Sequence, residues 1–407
     1  MCLIHNKTFE KILAVLAMFT IFYTRFNEYK ALLLNGFLLF FCVFLSIVHR
    51  KEIIPVSDEI KGYIKAFMIY FLCIIPSSIF SDKPLLSFLN FFFSLFIYGV
   101  FTVIILFIRR RELLVNMLMS FFWFSSFDCI IAFFQPILGY GMDNRGYGFG
   151  GWCLHIADIM CMLMPLALVI VMDPRFESRL KHSAAFASIS IIFGLLGNKS
   201  RGAWLTELFV VPIAVYKYVK QNRKYLICVL LVTLLVAGYM VSTPQYINRI
   251  KSITNTTTDH SNADRIWAWK SAKLMISDYP VTGVGFGRFH EIYEKKYKYE
   301  QETQNLFHTH NNFVQVAVDT GLVGTLGFFY LIWYFLHTSL WNYRKKSNPY
   351  DLLLFIIFLA HICIFGQIDY TLWGFALQPF FLFLFALLLR LKETDVKLIS
   401  LDTSKAF

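Results

Sequence analysis

The sequence predicts an all-α polytopic membrane protein, about twelve spanning helices with one long extramembrane loop that holds amphipathic helices. Three observations predict it. Of 407 residues, 57% are hydrophobic and 16% charged, where a soluble domain runs at about 45–50% and about 25%. Mean hydropathy is +0.58, and apolar runs close to a bilayer-crossing length recur along the whole chain. The 38 Lys and Arg residues gather in short clusters between those runs, as topology signals do. The length therefore reflects many spans rather than several soluble domains. Net charge is +12, but no basic tail or basic–aromatic low-complexity segment carries it, so nucleic acid is not an expected partner.

In chain order the spans fall at 11–24, 31–48, 63–80, 86–108, 113–138, 154–172, 183–198, 202–217, 225–242, 313–336, 351–367 and 370–390. The first, seventh and eighth are short. The run from Ile12 to Tyr23 lacks a small-residue cleavage site and reads as a span, not a cleaved signal. An even number of spans puts both termini on one side. With that side cytoplasmic, its segments collect 23 basic residues, among them Lys51, Arg109, Arg110, Arg111, Arg344, Lys345, Lys346, Lys397 and Lys405. The short loops opposite hold six: Arg25, Lys30, Lys83, Arg145, Lys199 and Arg201. This asymmetry favours cytoplasmic termini. The eight cysteines show no CxxC and no zinc spacing, and read as small packing residues.

The chain thus divides into spans one to nine (1–242), an outer loop (243–312), and the last three spans with a tail (313–407). In the loop, "TNTTTDHSNAD" reads as a linker ending in N-cap candidates Asn262 and Asp264. "RIWAWKSAKLMI" (265–276) has Ile266, Trp269 and Ile276 near one helical face. "DYPVTGVGFG" (278–287) is a turn, since Pro280 stops a helix and the glycines lack the spacing of a phosphate loop. "RFHEIYEKKYKYEQE" (288–302) predicts a second amphipathic helix, both lying at the outer membrane interface.

Candidate chemistry clusters on the same side. His310 precedes the tenth span, with His308 two residues before it. It is either an interfacial helix cap or a reactive group at the mouth of a membrane-embedded site. Gly321 and Gly324, three apart in an apolar helix, suggest a face for close helix approach. Arg145 lies in the glycine-rich "GMDNRGYGFGGW", Arg201 in "GNKSRGAW", and Arg265 at the start of the first loop helix. Each alone could be an interfacial arginine reaching for water. Converging, they could hold a diphosphate without a metal, because guanidinium makes bidentate contacts to phosphate and stays charged. Arg288 is either a further contact or a solvated charge. No DxD pair occurs and no clustered oxygen ligands stand out, so no metal or cofactor is expected. Within the spans, Asp128, Asp158 (below His155 on one face), Glu207 and Asp369 remain. They either pair with neighbouring helices or serve function, and Asp369 is placed in a two- or three-residue turn between the last spans.

"HNNFVQVAVDTGLVG", from His310 to Gly324, resembles the signature of the O-antigen ligases: His, then Asn, nine residues, Gly, two residues, Gly. "SRGAW" (200–204), "DRIWAWKSA" (264–272) and "PVTGVGFGRF" (280–289) resemble segments of the superfamily that also holds O-antigen polymerases and O-linked oligosaccharyltransferases. The resemblance covers essentially the whole chain. It implies a metal-independent, inverting transfer of glycan from undecaprenyl diphosphate to a sugar hydroxyl of lipid A–core, on the periplasmic face of a bacterial inner membrane. It implies His310 as general base and Arg145, Arg201 and Arg265 on the diphosphate. His308, Asn311, Gly321, Gly324 and Arg288 are read from the sequence as supporting candidates. The alternatives are a polymerase, a protein-directed oligosaccharyltransferase, and a flippase of lipid-linked glycans.

Overall fold

The computed structural model describes residues 6–50, 55–256, 259–300, 302, 306–372 and 374–405, with the side chains of residue 260 and residues 396–405 excepted. Cys2, Lys51, and the side chains of Lys397 and Lys405 lie outside what is described, as does part of the 254–264 linker. Twelve helices correspond to the twelve spans: α1 (Lys7–Thr24), α2 (Glu28–Val48), α3 (Asp58–Ile79), α4 (Pro84–Phe107), α5 (Arg111–Ile137), α6 (Cys153–Met172), α7 (Ser178–Asn198), α8 (Arg201–Gln221) and α9 (Arg223–Ser242), then α13 (Asn312–Lys346), α14 (Pro349–Gln367) and α15 (Gln378–Lys405). Short polar side chains start many of them: Asn6, Asn27, Ser57, Ser200, Asn222, Asn311 and Asn348 each accept a first-turn amide, satisfying donors a helix start leaves unpaired. Among the described residues there is no strand beyond one isolated bridge.

Ten of the twelve are long and apolar enough to cross a bilayer. The exceptions are α1, whose first turns carry Lys7, Glu10 and Lys11, and α15, whose apolar run passes into charged residues beyond Leu389. The seventh and eighth spans are full-length, since polar residues at Ser178–Lys181 and Lys217–Gln221 extend both helices past the apolar run. The last span starts at Gln378, so Asp369 sits in a loop of 368–377 rather than in a tight turn.

The long loop holds three helical segments, not two: α10 (Pro244–Lys251), α11 (His260–Asp278) and α12, in which Phe289–Ile292 continues as a π turn at Tyr293–Tyr297. The cap of α11 is Asp259, whose carboxylate accepts Asn262 N–H, not Asn262 or Asp264. Nor do α11 and α12 lie separately on a surface. Ala268, Ala272, Met275, Val284, Phe289 and Tyr293 are buried together as a small core over the start of α13.

That core explains the two signature glycines differently from a close-packed helix face. α13 is broken at Gly321, where φ is 59° and ψ −158°. The break lets the 280–285 segment dock alongside: Val284 N–H donates to Val318 O, Gly285 N–H to Asp319 O, and Leu322 N–H to Pro280 O. A Cβ on Gly321 would lie 2.4 Å from Gly283 N. Gly324 accommodates Thr320, whose Oγ1 would stand 2.0 Å from an added Cβ. On its other side the docked segment is tied to the α3–α4 corner, through Ser81 and Ser87 hydroxyls on Val284 O and Phe286 O.

Gly321→Ala is expected to cost about 2 kcal/mol or more, since left-handed backbone and a rigid backbone neighbour both penalise it. Gly238→Ala, in α9 with nothing within 4 Å of the added carbon, should be neutral or slightly stabilising. Thermal unfolding of the detergent-solubilised pair measures the contrast.

Candidate functional site

His310 ends the loop that enters α13. Asn311 caps that helix, its Oδ1 accepting Phe313 and Val314 N–H, while its Nδ2 donates to Gln367 Oε1 at 2.9 Å. His310 is therefore not the cap. It is left-handed, with φ 52°, a conformation uncommon outside glycine and met at functional sites. The next residue, Asn312, clamps the loop after α14: Thr371 and Leu372 N–H both donate to its Oδ1, and its Nδ2 donates to Thr371 Oγ1 at 2.9 Å. The clamp delivers Asp369 to His310.

His310 Nδ1 lies 3.1 Å from Asp369 Oδ1. Burial opposes ionisation of Asp369, but the bond from His310 and the nearby His308 hold the carboxyl below its usual range. A carboxylate only accepts, so Nδ1 carries the proton and Nε2 has the free lone pair. His308 is fixed the other way round. Its Nδ1 accepts His310 N–H at 3.2 Å, so the neutral ring carries its proton on Nε2, which stands 3.9 Å from Asp369 Oδ1. Burial, then His310, push the His308 pKa below the ordinary histidine value, in keeping with a neutral ring. His308, His310 and Asp369 also bring one ligand atom each within 4.8 Å of one another, a group able to hold a cation that the sequence did not foresee.

The arginines meet beside this dyad. Arg145 stands at the end of a tight turn in which Asp143 and Asn144 are both left-handed (φ 49° and 57°), closed by mutual Met142–Arg145 backbone bonds of 2.9 Å, the geometry of a type I′ turn. Its Nε donates to Asn198 O at 3.0 Å. Arg265, on α11, donates Nε to Ile368 O at 3.2 Å, next to Asp369. Burial lowers the pKa of both, and Arg201 is among the charges that repel each. Arg201 is differently placed: its terminal nitrogens are taken by Asp259, Ser252 and Asn262, so it anchors the entry to α11. Arg249, on α10, was missed by sequence reasoning. It donates Nε to Lys199 O at 3.3 Å, and burial, Arg145 and Arg201 lower its pKa. The signal was faint, an arginine in a long loop where charge carries no topological meaning. Among the described residues Asp259 is the one carboxylate bonded to a guanidinium of this group. Arg145 bonds through Nε alone, while Arg249 also sets Nη1 3.9 Å from Asp259 Oδ2.

The remaining candidates fall elsewhere. Arg288 is buried against Asp82 and Glu291 and ties the docked segment to the α3–α4 corner. Asp158 pairs with His361 of α14 at 2.7 Å, fully enclosed. Glu207, below Arg201, reaches no partner among the described residues, and both its oxygens are enclosed. Asp128 binds Arg25 Nε at 2.8 Å, each 2% exposed. That pair also shapes the Arg145 loop: Phe149 N–H donates to Asp128 Oδ1, and Arg25 Nη2 to Tyr147 O.

Fold and site together define a class, a multi-pass all-α membrane protein with a histidine–carboxylate dyad beside clustered guanidinium groups. Residues 186–329 match a family model described as O-antigen ligase. The matched residues include Arg201, Arg249, Arg265 and His310; Arg145 and Asp369 lie outside. The chain is 25% identical over 231 residues to an O-antigen ligase of Salmonella typhimurium, covering 53% of this chain and 55% of that protein. It is 23% identical over 216 residues to an uncharacterised protein of Haemophilus influenzae, 49% and 53% respectively. It is 22% identical over 350 residues to a putative polysaccharide ligase of Rickettsia bellii, 82% and 78%. The chain thus spans about half the length of the first two relatives.

Removing one partner of the buried Arg25–Asp128 pair leaves a charge uncompensated, at a cost of about 3–5 kcal/mol. Asp128→Ala should therefore lower stability by that order and raise amide exchange in residues 145–149, while Lys61→Ala, in an exposed pair, should do neither. Hydrogen exchange read by mass spectrometry checks both.

Proposed function

We propose that the chain is a glycosyltransferase of the bacterial inner membrane, with cytoplasmic termini and its site facing the periplasm. It moves a glycan from undecaprenyl diphosphate to a sugar hydroxyl of lipid A–core. The match of residues 186–329 to the O-antigen ligase model supports glycosyl transfer by ligation; the donor, acceptor and mechanism are this reading's own. The observation that carries it is the bond between His310 Nδ1 and Asp369, set against Arg145 and Arg265, whose bonds among the described residues go to backbone oxygens and Ser261 and to no carboxylate.

The reaction needs two things at two points. A sugar hydroxyl must lose its proton as its oxygen attacks the anomeric carbon, and His310 Nε2 is the available base, as a neutral imidazole suits this near neutral pH. Asp369 then stabilises the imidazolium that forms. The bond from the anomeric carbon to diphosphate breaks with its electron pair going to the phosphate oxygen. Arg145, Arg249 and Arg265 meet that charge where water is partly excluded. Arg201 adds positive field but keeps its fork on Asp259. Attack opposite the leaving group inverts the anomeric carbon. Both substrates are lipids, so both arrive from the bilayer. A polymerase would use the same base on a second lipid-linked glycan, a protein-directed transferase on a protein hydroxyl, and a flippase would need no base.

His310→Ala should abolish transfer with expression and insertion intact. Asp369→Asn should lower kcat by roughly 10²-fold, the scale of acid–base assistance, because the amide no longer fixes the base tautomer. The assay mixes purified protein, a lipid diphosphate-linked glycan and rough lipopolysaccharide, with and without EDTA. Product on lipopolysaccharide that persists in chelator supports the metal-free ligase. Product that disappears assigns His308, His310 and Asp369 to a cation. Product on lipid-linked glycan alone indicates a polymerase.

For the cations, Arg145→Lys and Arg265→Lys should impair transfer although charge is kept, since the planar fork is lost. Arg249→Gln should raise the donor KM by about tenfold, the order of one charge-assisted contact, and leave the acceptor KM unchanged. Initial rates against each substrate separate the two.

A further inference from the structure

His155 belongs to none of the groups above, yet it stands beside them. It lies in the first turn of α6, directly after the glycine-rich loop that carries Arg145. Its Nδ1 accepts the N–H of Trp152 at 3.3 Å. A ring nitrogen that accepts a hydrogen bond carries no proton, so the imidazole is neutral and its proton is on Nε2. That N–H has no partner among the described residues. Gly151 makes room for the ring, since a Cβ there would meet His155 Nδ1 at 2.8 Å and Arg25 Nη1 at 3.5 Å.

The ring lies within electrostatic reach of the base side of the site. The charges that act on it are those of Arg25 and Asp369, and it acts in turn on His308. The start of α6 is held in place by Asn198, whose Nδ2 donates to both Gly146 O and Cys153 O at 2.7 Å. Next to His155, the indole of Trp152 is 50% exposed. A neutral N–H donor beside an open aromatic face suits a sugar: the ring's apolar face can lie on the indole while a hydroxyl accepts from the imidazole. It does not suit a diphosphate, which charged forks bind better.

We propose that His155 is a binding residue for the acceptor sugar, its Nε2–H donating to a hydroxyl of the hexose whose neighbouring hydroxyl His310 deprotonates. Trp152 supplies the platform. The inference rests on the ligase reading for the identity of the acceptor, and it divides the site into an acceptor half (Trp152, His155, His308, His310) and a donor half (Arg145, Arg249, Arg265).

Two substitutions separate the nitrogens. In His155→Asn the side-chain oxygen takes the place of Nδ1, keeping the bond from Trp152 and removing the distal donor. In His155→Gln the amide nitrogen takes the place of Nε2, restoring the donor. Binding to the full-length protein in detergent is measured by thermophoresis for two probes, rough lipopolysaccharide and undecaprenyl diphosphate. His155→Asn should weaken rough lipopolysaccharide by about tenfold, the order of one hydrogen bond. His155→Gln should stay within threefold of the parent, and both should bind undecaprenyl diphosphate within twofold of it. Equal lipopolysaccharide affinity for the two variants, a larger loss in Gln than in Asn, or a parallel loss of both probes overturns the assignment and leaves the ligase reading standing. A parent protein that binds undecaprenyl diphosphate but no rough lipopolysaccharide overturns the ligase reading, and the assignment with it.

Discussion

Two adjacent asparagines hold the site together. Asn311 caps α13 and reaches Gln367 at the end of α14; Asn312 satisfies all its hydrogen-bonding capacity on Thr371, Leu372 and Ile362. Both contacts join segments about 50–60 residues apart in sequence. Without them the 368–372 loop has no reason to lie over the start of α13, and Asp369 would not meet His310. Because Asn312 is fully buried and fully paired, the clamp is costly to loosen: each bond removed strands a buried partner. Gly366 belongs to the same device, since a Cβ there would stand 2.2 Å from Asn312 Nδ2.

The glycine break in α13 works on the other side of His310. Where the helix opens at Gly321, backbone groups that would have bonded along the helix bond instead to the 280–285 segment. That segment anchors the small core of the loop, and Trp269 on α11 donates its indole N–H to Thr309 O at 2.9 Å. The residue before His310 is thus held by the loop, and the residue after it by α13. A left-handed residue between two fixed neighbours is what such strain requires.

The spans were legible because bilayer thickness forces apolar length, and the loop's existence was legible because polarity is concentrated there. The site was legible only in part. His310 and Arg145 sit in loops and Arg265 in the second turn of α11, and Arg265 stands next to the loop whose Asp369 meets His310. The partner of His310 was not readable: Asp369 looked like a residue of a short turn, because Leu372, Phe375 and Ala376 made the loop read as membrane helix. Arg249 was hidden among loop charges. Asp128 and Asp158 resolved into pairs with Arg25 and His361, contacts that depend on which helices are neighbours and leave no periodic trace. The Gly321–Gly324 spacing was seen, but the same spacing fits a packed helix face and a broken helix, and only the left-handed φ separates them.

The two halves of the site rest on very different foundations. His155 is carried by α6, and the loop that brings Asp369 to His310 follows α14; the spanning stretches of these two helices are 83% and 78% buried inside the protein. Arg249 follows α9, whose stretch is 0% buried. This matches what each half would do in the proposed reaction. Proton abstraction depends on a hydrogen bond of fixed length and direction, and a displacement of about 1 Å costs it on the order of 10²-fold. Charge stabilisation falls only with the inverse of distance, so a guanidinium moved by the same amount loses little. Rigid packing is therefore needed under His310 and His155 and not under Arg249. In the proposed reaction, a cation on a loosely packed element would follow a diphosphate whose lipid tail arrives from the bilayer, while the base would stay where the enclosed helices hold it.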